Sequence, residues 1–313
     1  MTALALPDIR SRSWRQVRGR FGRNLKVRIG LGMLTVFLIL PVLHPILQAT
    51  VWADSPNIYH PEVGFDLRIT HPSGPTSDHL LGTDPLGRDV LSMVTKAITP
   101  SLIVAFSTAL VVAVTSMMVG GITAYFGRRV DSVLTQLASI LVLVPAPIMF
   151  LVIGKGRPDY GVFELGMVYG LFFGLGPAAL VVRSRALSVM QKPFIEAARA
   201  AGGSSRYIIT NHLAPHLIPH VATQVLVAVT GAMITEGFIE LLGAAETRLG
   251  MGSLVYLALA YRTALQSAVP WSTLLTGALA ISLLSAAFFL LSVGIQEAAD
   301  PKRVQPQQRG ATG

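Results

Sequence analysis

An all-α integral membrane protein with six transmembrane helices is the fold class this sequence predicts, and three observations carry the prediction. Charged residues make up only 13% of the 313-residue chain against 52% hydrophobic, with a mean hydropathy of +0.59. A soluble domain carries about 25% charged residues. Six runs are long and apolar enough for a bilayer core of about 30 Å, which takes about 20 helical residues to cross. The basic residues are spread unevenly between alternate connections, as in multi-pass proteins that keep their positive loops inside.

The elements follow in order. Residues 1–28 form an arginine-rich tail, expected to lie against anionic lipid and to set orientation. The first span covers 29–50; its apolar run exceeds the 7–15 residues of a signal core and no A-x-A site follows, so it is expected to be retained. Residues 51–98 form an extracytoplasmic loop region rich in Pro, Asp and His. The core, 99–295, holds spans at about 99–126, 133–153, 162–182, 217–242 and 271–295, and residues 296–313 are a second tail. Pro41, Pro145, Pro147 and Pro177 lie inside spans, where neighbouring helices can re-satisfy the freed backbone. With the N-terminus inside, the inner connections hold 18 of the 25 Lys and Arg residues. The outer ones hold Arg68, Arg88, Lys96, Lys155, Arg157, Arg248 and Arg262. Both termini are therefore expected on the cytoplasmic side of the plasma (inner) membrane.

A net charge of +9 would point to nucleic acid in a soluble protein. Here the basic residues gather at membrane edges, so lipid is the implied partner and nucleic acid is not. There is no cysteine, which excludes thiolate chemistry and cysteine zinc sites. No G-x-x-x-x-G-K-[ST], H-E-x-x-H or G-x-S-x-G motif occurs, so no enzymatic site and no ATP or other cofactor site is expected in this chain.

One polar insert interrupts the apolar runs: "FIEAARAAGGSSRYIITNHLAPH", 194–216. Glu196 to Ala201 favours helix. Gly202 and Gly203 end it through a left-handed cap, and Ser204 or Ser205 can start a second short helix that Pro215 is expected to stop. Periodicity leaves two readings open, a membrane-surface connector and a docking element. His212, His216 and His220 recur every four residues, but Pro215 and Pro219 interrupt the stripe, and interfacial histidines are expected rather than a metal site. Glu236 and Glu240 share one face of the fifth span, where they either line a path that attracts a peptide's amino end or hold helices together.

The order E-A-A, three residues, G, then a helix ending in proline resembles the cytoplasmic loop of ABC importer permeases. Glu196, Ala197, Ala198 and Gly202 match position by position, with Leu213 and Pro215 at the family's apolar and proline positions and Ala214 where leucine is usual. The segment "HLLGTDPLGRDVLS", 79–92, is similar to the stretch that introduces the transmembrane domain in dipeptide, oligopeptide and nickel permeases, in the subunit with a long first outside loop. Its matches include His79, Gly82, Thr83, Asp84, Gly87, Arg88 and Asp89. Locally, Asp84-Pro85 starts a turn, Gly87 relieves strain in it, and Arg88 and Asp89 can bond nearby backbone or each other. "FGRRVDSVL", "RSRALSVMQKPFIEAARAAG", "ITEGFIELLG" and "EAADPKR" continue the pattern, whereas 244–271 departs from the family's proline-rich outside loop.

The resemblance implies a type I ABC importer permease fold, with a coupling helix at about 193–212 that docks on an ATP-binding subunit. It also implies a second homologous permease, two ATP-binding subunits carrying ATP and Mg, and an extracytoplasmic substrate-binding protein. The cargo stays open among dipeptide, oligopeptide, nickel chelate, glutathione and sugar-like solutes. The residues alone leave room for an ion-coupled secondary transporter or a non-transporting scaffold, although no inverted repeat or matched pair of broken helices is present.

Overall fold

A computed structural model describes residues 24–126, 128–157, 161–242, 249–265 and 271–299. The first 23 residues of the basic tail, the segment containing Arg248 and the tail from 300 onward lie outside the described residues. Helices α1 (Leu25–Ala49), α2 (Val90–Phe126), α3 (Arg128–Leu143), α4 (Ala146–Gly156), α5 (Val162–Leu175) and α6 (Pro177–Met190) come first. After them come α7 (Pro193–Ala200), α8 (Ser205–Ile208), a π turn (Ile209–Leu213), α9 (Ala214–Leu241), α10 (Met251–Leu265) and α11 (Trp271–Ala299). The fold is all-α; its one β feature among the described residues is the isolated bridge Thr83–Asp89. Five stretches are long and apolar enough to cross a bilayer, and a sixth is completed by α3 and α4 taken together.

The helices outrun the apolar windows, because hydrogen bonding ends at a cap whereas a window ends at a charge. The second span begins at Val90 rather than at Thr99, since Asp89 Oδ1 accepts the Ser92 N–H at 2.7 Å and caps it, leaving Lys96 inside the helix. The third span is not one rod. It bends by 81° between α3 and α4 at Pro145, where the chain takes up an extended φ of −67° and ψ of 106°. The fourth passes beyond Arg183 to Met190, with a break at Gly176-Pro177. Pro215 does not stop the insert's second helix. Ala214 donates to Ile209 O, five residues back, and this wider turn accommodates the proline, so helical structure runs from Ser205 to Leu241. The outside loop after the fifth span, unassigned by periodicity, contains α10, whose buried stripe Met251, Leu254 and Ala258 packs inward.

Glycines set how closely the spans approach. On α5, Gly166, Gly170 and Gly174 make a stripe four residues apart against α2. A Cβ on Gly166 would overlap Ser107 Oγ and lie 2.7 Å from Val104 O, and one on Gly170 would lie 2.7 Å from Val111 Cβ. One on Gly174 would overlap Thr115 Oγ1. With the backbones this close, Thr108 Oγ1 donates to Gly166 O at 3.1 Å across the interface. The first and last spans meet the same way, since a Cβ on Gly30 would come 2.9 Å from Ala287 O. Lys26 and Asn24 both bond Glu297 at one end of that pair, so α1 starts where α11 finishes.

Gly170→Ile is expected to overpack the α2–α5 contact and destabilise the purified protein by about 1–3 kcal/mol. Gly121 has open space around its Cβ position, so Gly121→Ala should stabilise by about 0.5–1 kcal/mol. Thermal denaturation in detergent checks both.

Candidate functional site

The insert folds into an elbow. α7 ends in a Schellman motif: Gly203 N–H donates to Ala198 O at 2.9 Å and Gly202 N–H to Arg199 O at 3.0 Å, with Gly202 at φ +79°. A Cβ on Gly202 would meet nothing within 4 Å, so backbone conformation rather than space demands glycine there. Ser204 starts the second limb, its Oγ accepting the Tyr207 N–H at 3.3 Å. Underneath, Ile195, Ile208 and Leu213 are fully buried. Phe194 stacks on His216 with centroids 5.3 Å apart, and Tyr207 meets His212 edge-on at 5.3 Å. These ring contacts are where the structure puts the two histidines.

At the elbow's base Tyr125, from the end of α2, donates to Ser205 Oγ at 2.8 Å, and the Arg199 guanidinium lies 5.7 Å from its ring centre. Nearby Asp131 on α3 takes a forked pair from Arg183 on α6, with Nη2 to Oδ2 at 2.6 Å. The outer surface of the elbow is left to Glu196, Ala197, Ala200, Ala201 and Gly202, all exposed; Ala198 is half-buried and so is Pro215. The result is a small-residue ridge, fastened below and open above, joined by the Gly202–Gly203 turn to a second limb that continues as helix into α9.

At the opposite end of the bundle, residues 51–89 form an ordered lobe that caps α1 and α2. Thr83, Asp84, Gly87, Arg88 and Asp89 make its centre, with Gly82 at φ +77° and Gly87 at φ +83°. Asp84 accepts the N–H groups of Leu86 at 3.0 Å and Arg88 at 2.9 Å, and also the Arg88 guanidinium, Nε at 2.8 Å. Arg88 and Asp89, adjacent in sequence, do not pair with each other. Asp89 instead faces His79, Oδ2 to Nδ1 at 2.8 Å, and the other ring nitrogen of His79 lies 3.3 Å from Asp66 Oδ2. All three are at most 2% exposed.

An aromatic column, His44 against Trp52, Trp52 stacked on Tyr59 and Tyr59 beside His79, ties this cluster to the first span. Asp66, Trp52 and Tyr59 were missed by sequence reading, since they lie outside the 79–92 motif and no periodicity marks them. Arg68 bonds both Asp66 oxygens at 2.9 Å and holds that carboxyl well below the usual carboxylate range, while burial pushes Asp89 up.

Glu236 and Glu240 are 5% and 4% exposed and line one narrow crevice between α2, α9, α10 and α11. Glu240 Oε2 accepts the Gly252 N–H from the first turn of α10 at 2.7 Å. The two carboxylates are thus brought together one turn apart, with Glu240 bonded to backbone.

Residues 116–305 match the family described as binding-protein-dependent transport system inner membrane component. The chain belongs to that family, whose transmembrane domain has the type I ABC importer permease fold. It is similar to the dipeptide transport system permease protein of Alkalihalophilus pseudofirmus, 25% identical over 300 residues, 92% of this chain and 90% of that protein. It is also similar to the oligopeptide transport system permease protein of Mycobacterium tuberculosis, 27% identical over 229 residues, 72% of this chain and 77% of that one. The protein is accordingly a multi-pass inner-membrane permease subunit of an ABC transporter and not an enzyme; ATP hydrolysis lies in separate subunits, and a binding protein serves the system.

The lobe's ion pairs have a signed pH dependence. Asp66, depressed in the fold, contributes stability that is fully present above the ordinary carboxylate pKa and is lost as pH falls. Asp89, raised, has the opposite sign, its contribution fading as pH rises past that value. The stability difference between the parent and Asp66→Asn should therefore be full above about pH 4 and close on further acidification. Thermal melts across that range test the sign.

Proposed function

We propose that the chain imports peptides, di- or oligopeptides, as one of two homologous permease subunits, paired with two ATP-binding subunits that carry ATP and Mg. Both termini and the elbow face the cytoplasm, and the lobe faces the binding protein. The observation that supports this best is the elbow itself: an exposed alanine ridge with a glycine-locked turn, whose second limb runs through the π turn into the helix that carries Glu236. Displacement of the ridge by a nucleotide-driven partner would pass through the hydrogen-bonded Gly202–Gly203 turn to the second limb and from there along α9. The bundle supplies two arrangements whose balance the partner biases. The peptide cargo follows the named relatives, and the basic-residue asymmetry supports the orientation.

In this reading Glu196 helps hold the docking ridge, Ala197 and Ala198 permit close approach, Gly202 sets the turn, and Leu213 and Pro215 anchor the ridge to α9. Gly202→Val forces a β-branched residue into a left-handed conformation, which costs roughly 1–2 kcal/mol or more locally. Gly202→Val and Glu196→Lys are each expected to abolish ATP-driven peptide uptake in proteoliposomes while membrane content stays normal. Near-normal uptake by either variant would count against the docking role. Because the chain has no native cysteine, a single cysteine at Ala201 should react with an impermeant maleimide only from the cytoplasmic side. Glu236→Gln is expected to lower uptake without dissociating the complex; kinetics unchanged across a set of peptides would remove Glu236 from the path.

A further inference from the structure

The short helix α10 is held against α9 in an unusual way. Fifteen residues are too few to cross a bilayer, so α10 packs into the lobe end of the bundle between two full spans. Its N-terminus meets α9 where three glycines remove the side chains. A Cβ on Gly252 would overlap Gly237 O and lie 2.8 Å from Glu240 Cβ, and one on Gly250 would overlap the Glu240 carboxylate. The two backbones therefore touch directly at this point, beside the apolar cluster in which Met251 and Leu254 lie with Met233 and Ile239 of α9. What crosses the contact is the Glu240 carboxylate, which accepts the Gly252 N–H at 2.7 Å. That amide is the second of the helix and has no partner within it, and the positive end of the helix dipole faces the same carboxylate. Ser253 satisfies the neighbouring Gly250 N–H at 2.9 Å from within α10, so the Gly252 amide is the donor directed at α9. The crevice that Glu240 shares with Glu236 and Ser101 is too narrow for water, which strengthens the bond.

We propose that Glu240 is a positioning residue, the latch that keeps α10 seated on α9 and the lobe end of the pathway shut until the ATP-driven step releases it. The inference rests on the importer reading above, in which that end must open to receive cargo. It assigns Glu240 to a helix terminus of its own chain, and cargo need not touch it. Glutamine keeps the shape and an acceptor oxygen but loses the charge; alanine leaves the Gly252 amide without this acceptor.

The test uses the assembled transporter in proteoliposomes, with a single cysteine in place of Ala258, which faces the bundle and is fully buried. Labelling by an impermeant maleimide from the lobe side reports whether α10 has lifted. In the Ala258→Cys parent, labelling should be slow at rest and accelerate when nucleotide is trapped. Glu240→Gln should raise the resting rate on the order of tenfold, the difference between a charged and a neutral hydrogen bond, and Glu240→Ala should raise it further. Uptake per ATP hydrolysed should fall in the same order. Labelling that is the same with and without trapped nucleotide, and unmoved by either substitution, overturns the latch. So does a loss of thermal stability and uptake in step, with labelling unchanged. A parent complex that labels in a nucleotide-dependent way, responds to Glu240→Gln and moves no peptide supports the latch and refutes only the peptide reading.

Discussion

Inside a bilayer there is no water to satisfy a backbone amide or carbonyl, and at several irregularities of this bundle a group from the chain itself takes its place. Where Pro215 would break the helix, the π turn moves the preceding bond to Ile209 O. Where α10 begins within the bundle, Glu240 takes one of its free amides. At the start of α2 the carboxylate of Asp89 does the same, and His79 and Asp66 then hold that carboxylate in place. Where α5 comes within backbone distance of α2, Thr108 closes on Gly166 O.

The same constraint explains why charge sits where it does. At the lobe end two ion pairs join residues close in sequence, Asp84 with Arg88 and Asp66 with Arg68, within the segment that lies on the ends of α1 and α2. At the elbow end the pairs join distant segments instead, Asp131 with Arg183 and Lys26 with Glu297, tying separate helices to one another. The ridge itself carries almost no buried apolar surface of its own beyond Ile195 and Ile208. Its exposed alanines are suited to contact with another surface, not to the core of this chain.

Much of this architecture was legible before any coordinates. Apolar length locates all six spans, and the glycine pair at 202–203 marks the turn of the elbow, because Gly202 requires a left-handed backbone that few other residues accept. Residues 79–92 announce an ordered segment through Asp84, Gly87 and Asp89. The 81° bend of the third span was less legible. Pro145 and Pro147 signal irregularity, but the direction and size of a bend depend on what packs beside it. The start of α2 was misplaced by nine residues because Lys96 lowers local hydropathy without interrupting a hydrogen bond.

The sequence by itself therefore determined the number of spans, the lobe and elbow segments, and the turns that glycine requires. Those depend on local hydropathy and backbone dihedrals, which neighbouring residues report directly. Tertiary structure alone decided the partners. Asp66 reaches His79 across thirteen residues, Gly252 reaches Glu240 across twelve, and the α5 glycines face Ser107, Val111 and Thr115 some sixty residues away. Hydropathy records how much a residue avoids water, but not which face it presents or what stands opposite. In lipid, that pairing settles whether a buried carboxylate holds two helices together or lies open to a passing solute.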